Sequence, residues 1–272
     1  QNNTRILYGN ARFSANKTFG DYSISAFLGG EIRDQSSITD SQYGTNFFDP
    51  NFYSINNTYA STRLAKNIIN NYRSIGFFGQ AVLGYKTLLY LTLSGRLDGT
   101  SRLMPNDPYF SYPSGSLAFN FTDLNPIKAV SDVISDGKIR FSAGKTGKGP
   151  LRSYFIKSNY EPQYSTGGGY AYGFNGGNDK LVAEMTNELE AGIEFSLFKK
   201  FVSFDFSYFS RLSDGQIILP RLSYGSGFVL KMMNGGKVKN VGTEVQAIFN
   251  PIVKKNFNWN LVFNFTQYKG RV

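Results

Sequence analysis

The chain has 272 residues, no cysteine, no histidine and a formal charge of +10, from 29 Lys and Arg against 19 Asp and Glu. Those two absences exclude disulfide frameworks, thiolate and His-based catalysis, and Cys or His metal sites, while basic residues scattered along the chain argue against a nucleic-acid partner. Hydrophobic residues make up 41% with no 18-residue apolar run, so no membrane-crossing helix is encoded; the 25 Phe, 18 Tyr and 29 Gly suit turn-punctuated strands with aromatic girdles.

In chain order, residues 4–15 and 20–31 read as two strands of a hairpin linked at 16–19. From 32 to 67 the pattern dissolves into Asp, Ser, Asn, Thr and Tyr, which predicts a long loop. Residues 70–84 place Ile75, Phe77, Ala81 and Leu83 on one face, and a tight link at Tyr85 and Lys86 leads into 87–99. There Leu89, Leu91, Leu93 and Leu97 alternate with Tyr90, Thr92, Ser94, Arg96 and Asp98, a separation that a strand makes and a helix does not. After a polar loop at 100–108, residues 109–121 return as a strand, and 125–136 reads as a short helical link. Residues 137–146 set Ile139, Phe141 and Ala143 against Lys138, Arg140 and Ser142.

A Gly- and Tyr-rich insertion at 147–186, with local strand structure around 154–164, precedes the clearest hairpin, 187–198 and 201–211 joined at Lys199 and Lys200. A Gly-rich excursion at 212–236, a strand at 237–250, a link at 251–255 and a strand at 256–268 complete about ten strands. Their connections alternate short and long, and each strand is long enough to cross a bilayer with one oily and one polar face. The chain is therefore all-β, and an antiparallel transmembrane β-barrel segment is favoured over its alternatives, a soluble β-sandwich binding module or a self-contained outer-membrane barrel enzyme.

No catalytic constellation, cofactor site or metal site stands out. Asp98, Glu184, Glu190, Glu194, Asp205 and Glu244 mostly fall on polar strand faces, where a solvated lumen explains them without chemistry. Residues 144–150, GKTGKGP, lack phosphate-loop spacing. The substrate-contact candidates are Tyr164, Tyr170, Tyr172 and Phe174 on the glycine-flexible loop. They could stack on sugar rings or peptide side chains, or pack on one another. Gln1, and a final strand running directly into Arg271 and Val272, suggest a segment of something longer.

Six motifs in order carry a family resemblance. They are RLDGTSR at 96–102; YPSGSLAF at 112–119; KIRFSAG at 138–144 with Thr146 and Gly147; Leu181, Glu184 and Thr186 ahead of Gly192; Asp205, Tyr208, Arg211, Asp214 and Pro220; and NGGKVKNVGTE at 234–244. Together they resemble the barrel of the SusC/RagA-type TonB-dependent outer-membrane transporters of the Bacteroidetes. The resemblance implies that residues 1–272 are the C-terminal part of a plugged 22-stranded barrel whose plug and N-terminal strands lie outside this sequence. It further implies import of a large nutrient, glycan or oligopeptide, across the outer membrane. The implied partners are a SusD-like surface lipoprotein, TonB through the missing N-terminal region, and outer-membrane lipid. No enzymatic activity and no cofactor follow from it.

Overall fold

An alternating strand leaves its backbone donors and acceptors to be met by neighbouring strands. The structure, a computed structural model, describes residues 1–124, 127, 132–162 and 168–272. Ten long strands form one antiparallel meander in which chain neighbours are sheet neighbours: β1 (Asn2–Phe19), β2 (Tyr22–Tyr43), β3 (Leu64–Tyr85), β4 (Leu89–Thr100), β5 (Tyr109–Phe119), β6 (Ile134–Lys148), β10 (Glu184–Leu197), β11 (Val202–Asp214), β15 (Lys237–Lys254) and β16 (Phe257–Arg271). The remaining strands belong to loops. β7 (Tyr160–Pro162) pairs with β8 (Tyr170–Tyr172), β9 (Asn175–Gly176) runs parallel to β13 (Leu230–Lys231), and β12 (Ile217–Ile218) pairs with β14 (Met233–Asn234). Among the described residues no second large sheet faces the first, so the two-layer core of a sandwich is not built.

One rim carries tight turns at positions 20–21, 86–88, 198–201 and 255–256; at these turns Gly20, Lys86, Phe198, Lys199 and Lys200 adopt left-handed backbone. Asp21 and Lys86 pair at 3.4 Å and tie two neighbouring turns together. The β5–β6 link, on the same rim, opens with a 3-10 turn at Phe121–Asp123; of the expected helical link at 125–136, residues 125–126 and 128–131 fall outside the described residues, and 134–136 are not helix but the start of β6, paired with β10. The other rim carries the long connections 44–63, 101–108, 149–183 and 215–236.

Three boundaries differ from expectation. The first hairpin turns at 20–21 rather than 16–19, because Asn16 to Phe19 continue the ladder opposite Ser25 to Tyr22 and Gly20 supplies the positive φ. Much of the expected 32–67 loop is strand, since β2 and β3 stay paired out to Tyr43 and Leu64. Beyond the apolar band both faces of a strand meet water, so the ladder persists while the alternation that reveals it is lost. The expected link at 251–255 is mostly strand: a register shift between Phe249 and Ile252 takes up Pro251, which has no amide to donate.

The register sorts the faces. Leu83, Leu91, Leu117 and Phe141 stand side by side on the outer face across four strands. Phe195, Phe204, Phe249 and Phe263 form an aromatic row near the tight-turn rim, with successive ring centroids 5.3, 6.2 and 5.9 Å apart. This is the oily wall and girdle that a lipid-facing surface needs. The main apolar core lies in the loops instead, where Leu103, Leu181, Ala183 and Met232 are buried together.

Candidate functional site

On the inner face, two arginines lie across a neighbouring strand by the same device. Glu31 of β2, Gly76 of β3 and Asp98 of β4 share a row. Arg96 donates from Nε to Asp98 at 2.7 Å and reaches over Gly76 to Glu31, two strands away. A Cβ on Gly76 would stand 2.5 Å from Arg96 Nη2, so only glycine leaves the guanidinium its path. Tyr112 donates to Asp98, and Tyr8 donates to Glu31 at 2.8 Å.

Arg140 of β6 repeats the arrangement over Gly192 of β10, where a Cβ would lie 2.7 Å from Arg140 Nε. It donates to Glu194 and to Ser207, and bonds Asp205 of β11 at 2.8 Å. Glu190 lies 3.6 Å from its Nε, and Lys138 holds the other oxygen of Glu194 at 3.0 Å. Charge-assisted bonds of this kind are roughly twice as strong as neutral ones. Here they fasten three strands together across the polar face. Of the six carboxylates expected to be solvated in a lumen, Asp98, Glu190, Glu194 and Asp205 are ion-paired with Arg96 or Arg140, and the strand register brings Arg140 to its three.

Above these bridges the loops make a mouth. Leu103 comes from the β4–β5 loop, Leu181 from the β6–β10 loop and Met232 from the β11–β15 loop, so three connections share one core. Arg102 reinforces it, stacking on Tyr72 at 3.9 Å and donating to the Pro150 carbonyl at 3.2 Å. The 44–63 loop holds itself by other means. Asn57 donates to the carbonyls of Asp49 and Phe52 at 2.7 and 2.6 Å, and Arg63 caps the Asn56 carbonyl at 2.8 Å. Between wall and mouth lies a cavity of about 630 Å³ lined by Tyr8, Glu31, Arg33, Tyr72, Arg96 and Arg102 among others.

The aromatic candidates occupy the outer surface of the mouth. Tyr170 and Phe174 are 76% and 69% exposed. Tyr172 of β8 stacks on Tyr160 of β7 with centroids 4.8 Å apart and meets Phe228 edge-on at 5.5 Å. Tyr164 lies outside the described residues. The sequence reading missed Tyr160 and Phe228 as members of this patch, and missed a second patch on the 44–63 loop. There Phe48 meets Tyr59 at 4.5 Å and Phe47 meets Tyr53 at 5.7 Å. The paired aromatics of 44–63 were a visible signal, obscured by reading the loop as featureless.

With this geometry in view, comparison with known proteins is decisive at the level of family. Residues 1–272 match the family described as TonB dependent receptor-like, beta-barrel. The chain belongs to the TonB-dependent receptor β-barrel family. Its relatives include TonB-dependent receptor P3 of Formosa agariphila, 27% identical over 281 residues covering all of this chain and 28% of that protein. TonB-dependent receptor SusC of Bacteroides thetaiotaomicron is 28% identical over 206 residues, 71% of this chain and 20% of that protein. The chain spans about a quarter of the length of these curated relatives. The RagAB peptide transporter superposes with a TM-score of 0.86 over 99% of this chain and 30% of that chain, at 19% identity, which is a likeness of fold. The family is one of outer-membrane β-barrels, and its members are receptors and transporters rather than enzymes.

Proposed function

We propose that residues 1–272 form part of the wall and much of the extracellular mouth of a TonB-dependent importer that brings a large nutrient, oligopeptide or glycan, across the outer membrane. The tight-turn rim faces the periplasm and the long-loop rim faces outward. Strands beyond this segment close the barrel on the two sheet edges, β1 and β16, because unpaired backbone is not tolerated in lipid. A plug fills the lumen, TonB drives it, and a SusD-like lipoprotein covers the mouth.

The mouth carries this reading. Three loops are welded by a shared apolar core into one surface, and exposed aromatic pairs stand at Tyr160–Tyr172 and Phe48–Tyr59. A surface of that kind suits grasping a solute or a lid, and it exceeds what a passive pore rim needs. The test is to purify the full-length protein from native outer membranes in detergent and identify by mass spectrometry what accompanies it. A co-purifying surface lipoprotein with a bound oligopeptide or glycan is the expected result. Recovery of the barrel alone, with neither lipoprotein nor solute, counts against the reading.

A further inference from the structure

Four arginines on or above the inner face differ in their partners. Arg96 and Arg140 are saturated by carboxylates. Arg33 and Arg102 are not: among the described residues neither forms an ion pair. Arg33, one step up β2 from Glu31 on the same face, donates only to the side-chain carbonyl of Gln35, at 2.9 Å. Arg102, partly buried, has the Tyr72 ring, the Pro150 carbonyl and, at 3.4 Å, the Ser153 hydroxyl.

The two carboxylates that share their cavity, Glu31 and Asp98, are already taken. Both accept from Arg96, and each accepts a tyrosine hydroxyl besides. Burial lowers the Arg102 pKa from its ordinary value, against the opposing pull of the Tyr72 hydroxyl, and the like charge of Arg33 lowers it further. Two guanidinium groups without a carboxylate partner thus line one cavity of about 630 Å³, where their like charges favour an anion.

We propose that Arg33 and Arg102 form an oxyanion subsite at the top of the lumen, beneath the loops, that takes a carboxylate of the solute being imported. The subsite rests on the import reading above. Guanidinium forks match a carboxylate bidentately and are weakly hydrated, so little is lost when solute replaces water. Tyr72 holds the Arg102 plane, which reduces the ordering cost on binding. Two solutes carry the group: a peptide, at its C-terminus or acidic side chains, and a glycan, on uronic acid residues.

The test uses the full-length transporter, with whatever lipoprotein purifies with it, in detergent. Calorimetry compares hexaalanine bearing a free C-terminal carboxylate with its C-terminal amide, and trigalacturonate with neutral galactotriose. One charged probe is expected to bind at least about tenfold more tightly than its neutral counterpart; which pair discriminates names the source of the carboxylate. Arg33→Gln is expected to remove most of that preference and Arg33→Lys to keep part of it. Because Arg33 is exposed on its strand, the barrel of both variants should keep its heat-modifiable mobility on gels. Arg102→Gln repeats the loss from the loop side. Failure of both charged probes to exceed their neutral counterparts, including no binding by any of the four, overturns the subsite, as does a preference that survives Arg33→Gln. Co-purified lipoprotein and solute with no charge preference sink the subsite and leave import standing. A charge preference with neither lipoprotein nor solute does the reverse.

Discussion

In the wall the inner face is tied by charged side chains, Arg96 and Arg140 with their carboxylates, whereas the loops above are tied by an apolar core, Leu103, Leu181 and Met232. The difference follows from what else holds each region. The wall has a continuous ladder of backbone hydrogen bonds and an oily outer face; its inner face can afford polar residues, and pairing them across strands adds stiffness. Among the described residues the loops have only two-residue and three-residue strands between themselves, so their positions depend more on buried apolar area. The two regions should fail separately, and substitutions can test whether they do.

The largest effect is expected in the mouth. Leu181→Ala removes a side chain 3% exposed from the shared core and should cost about 2–5 kcal/mol of local stability. Hydrogen exchange on the full-length protein in detergent should show amides of 149–183 and 215–236 losing protection while the ten wall strands keep theirs. Equal loss in the strands would mean that the loops brace the barrel. Leu189→Arg probes the opposite face. Leu189 is 63% exposed on the outer wall, and a charge there should cost about 2–4 kcal/mol if it lies near the membrane midplane. The measurement is the urea unfolding midpoint in lipid vesicles; an unchanged midpoint would place this face away from lipid.

A smaller loss tests the arginine bridge. Gly192→Ala puts a methyl group 2.7 Å from Arg140 Nε and should displace the guanidinium from Asp205, at about 1–2 kcal/mol because the group is partly solvated. Combining it with Arg140→Ser should cost less than the sum of the two single changes, since both break one interaction. Full additivity in thermal melts would show that the glycine serves only the sheet.

The contrast also explains what could be read from the sequence. The wall announced itself because lipid on one side enforces strict alternation, as in Leu89, Leu91 and Leu93, and because the turn at Lys199 and Lys200 interrupts it sharply. Where the ladder of β2 and β3 continues past the apolar band, alternation carries no information, and 32–43 and 64–67 were read as loop although they are strand. The family motifs marked Arg96, Asp98, Arg140 and Asp205 without disclosing that the arginines bridge strands, because the partners Glu31 and Glu194 are 65 and 54 residues away in sequence. The loop core was hidden for a similar reason. Leu103, Leu181 and Met232 sit in short apolar runs, beside Met104, beside Val182 and Ala183, and beside Met233, in three separate loops with no period to connect them. Among the aromatic candidates, Tyr172 stands in a Gly- and Tyr-rich run visible in the sequence, whereas its contact with Tyr160 needed the β7–β8 pairing.

That pairing gives the finest test. The Tyr160 hydroxyl donates to that of Tyr172 at 3.3 Å, and this hydrogen bond raises the Tyr160 pKa above the ordinary tyrosine value of about 10. A raised pKa means that the bond stabilises the protonated form. Its contribution is fully present below the unfolded pKa and disappears as pH climbs through the folded one. Site-resolved titration of the Tyr160 ring by NMR should therefore find it ionising late, and Tyr172→Phe, which removes the accepting oxygen but keeps the ring, should bring it back toward the ordinary value. Stacking is retained in that variant, so a barrier to ionisation that persists would assign the shift to the ring contact. In Tyr172→Ala both the hydrogen bond and the ring stacking are lost. The loop hairpin should then exchange its amides faster without any change in Leu181 and its neighbours, because the aromatic patch sits on the mouth and the apolar core lies beneath it.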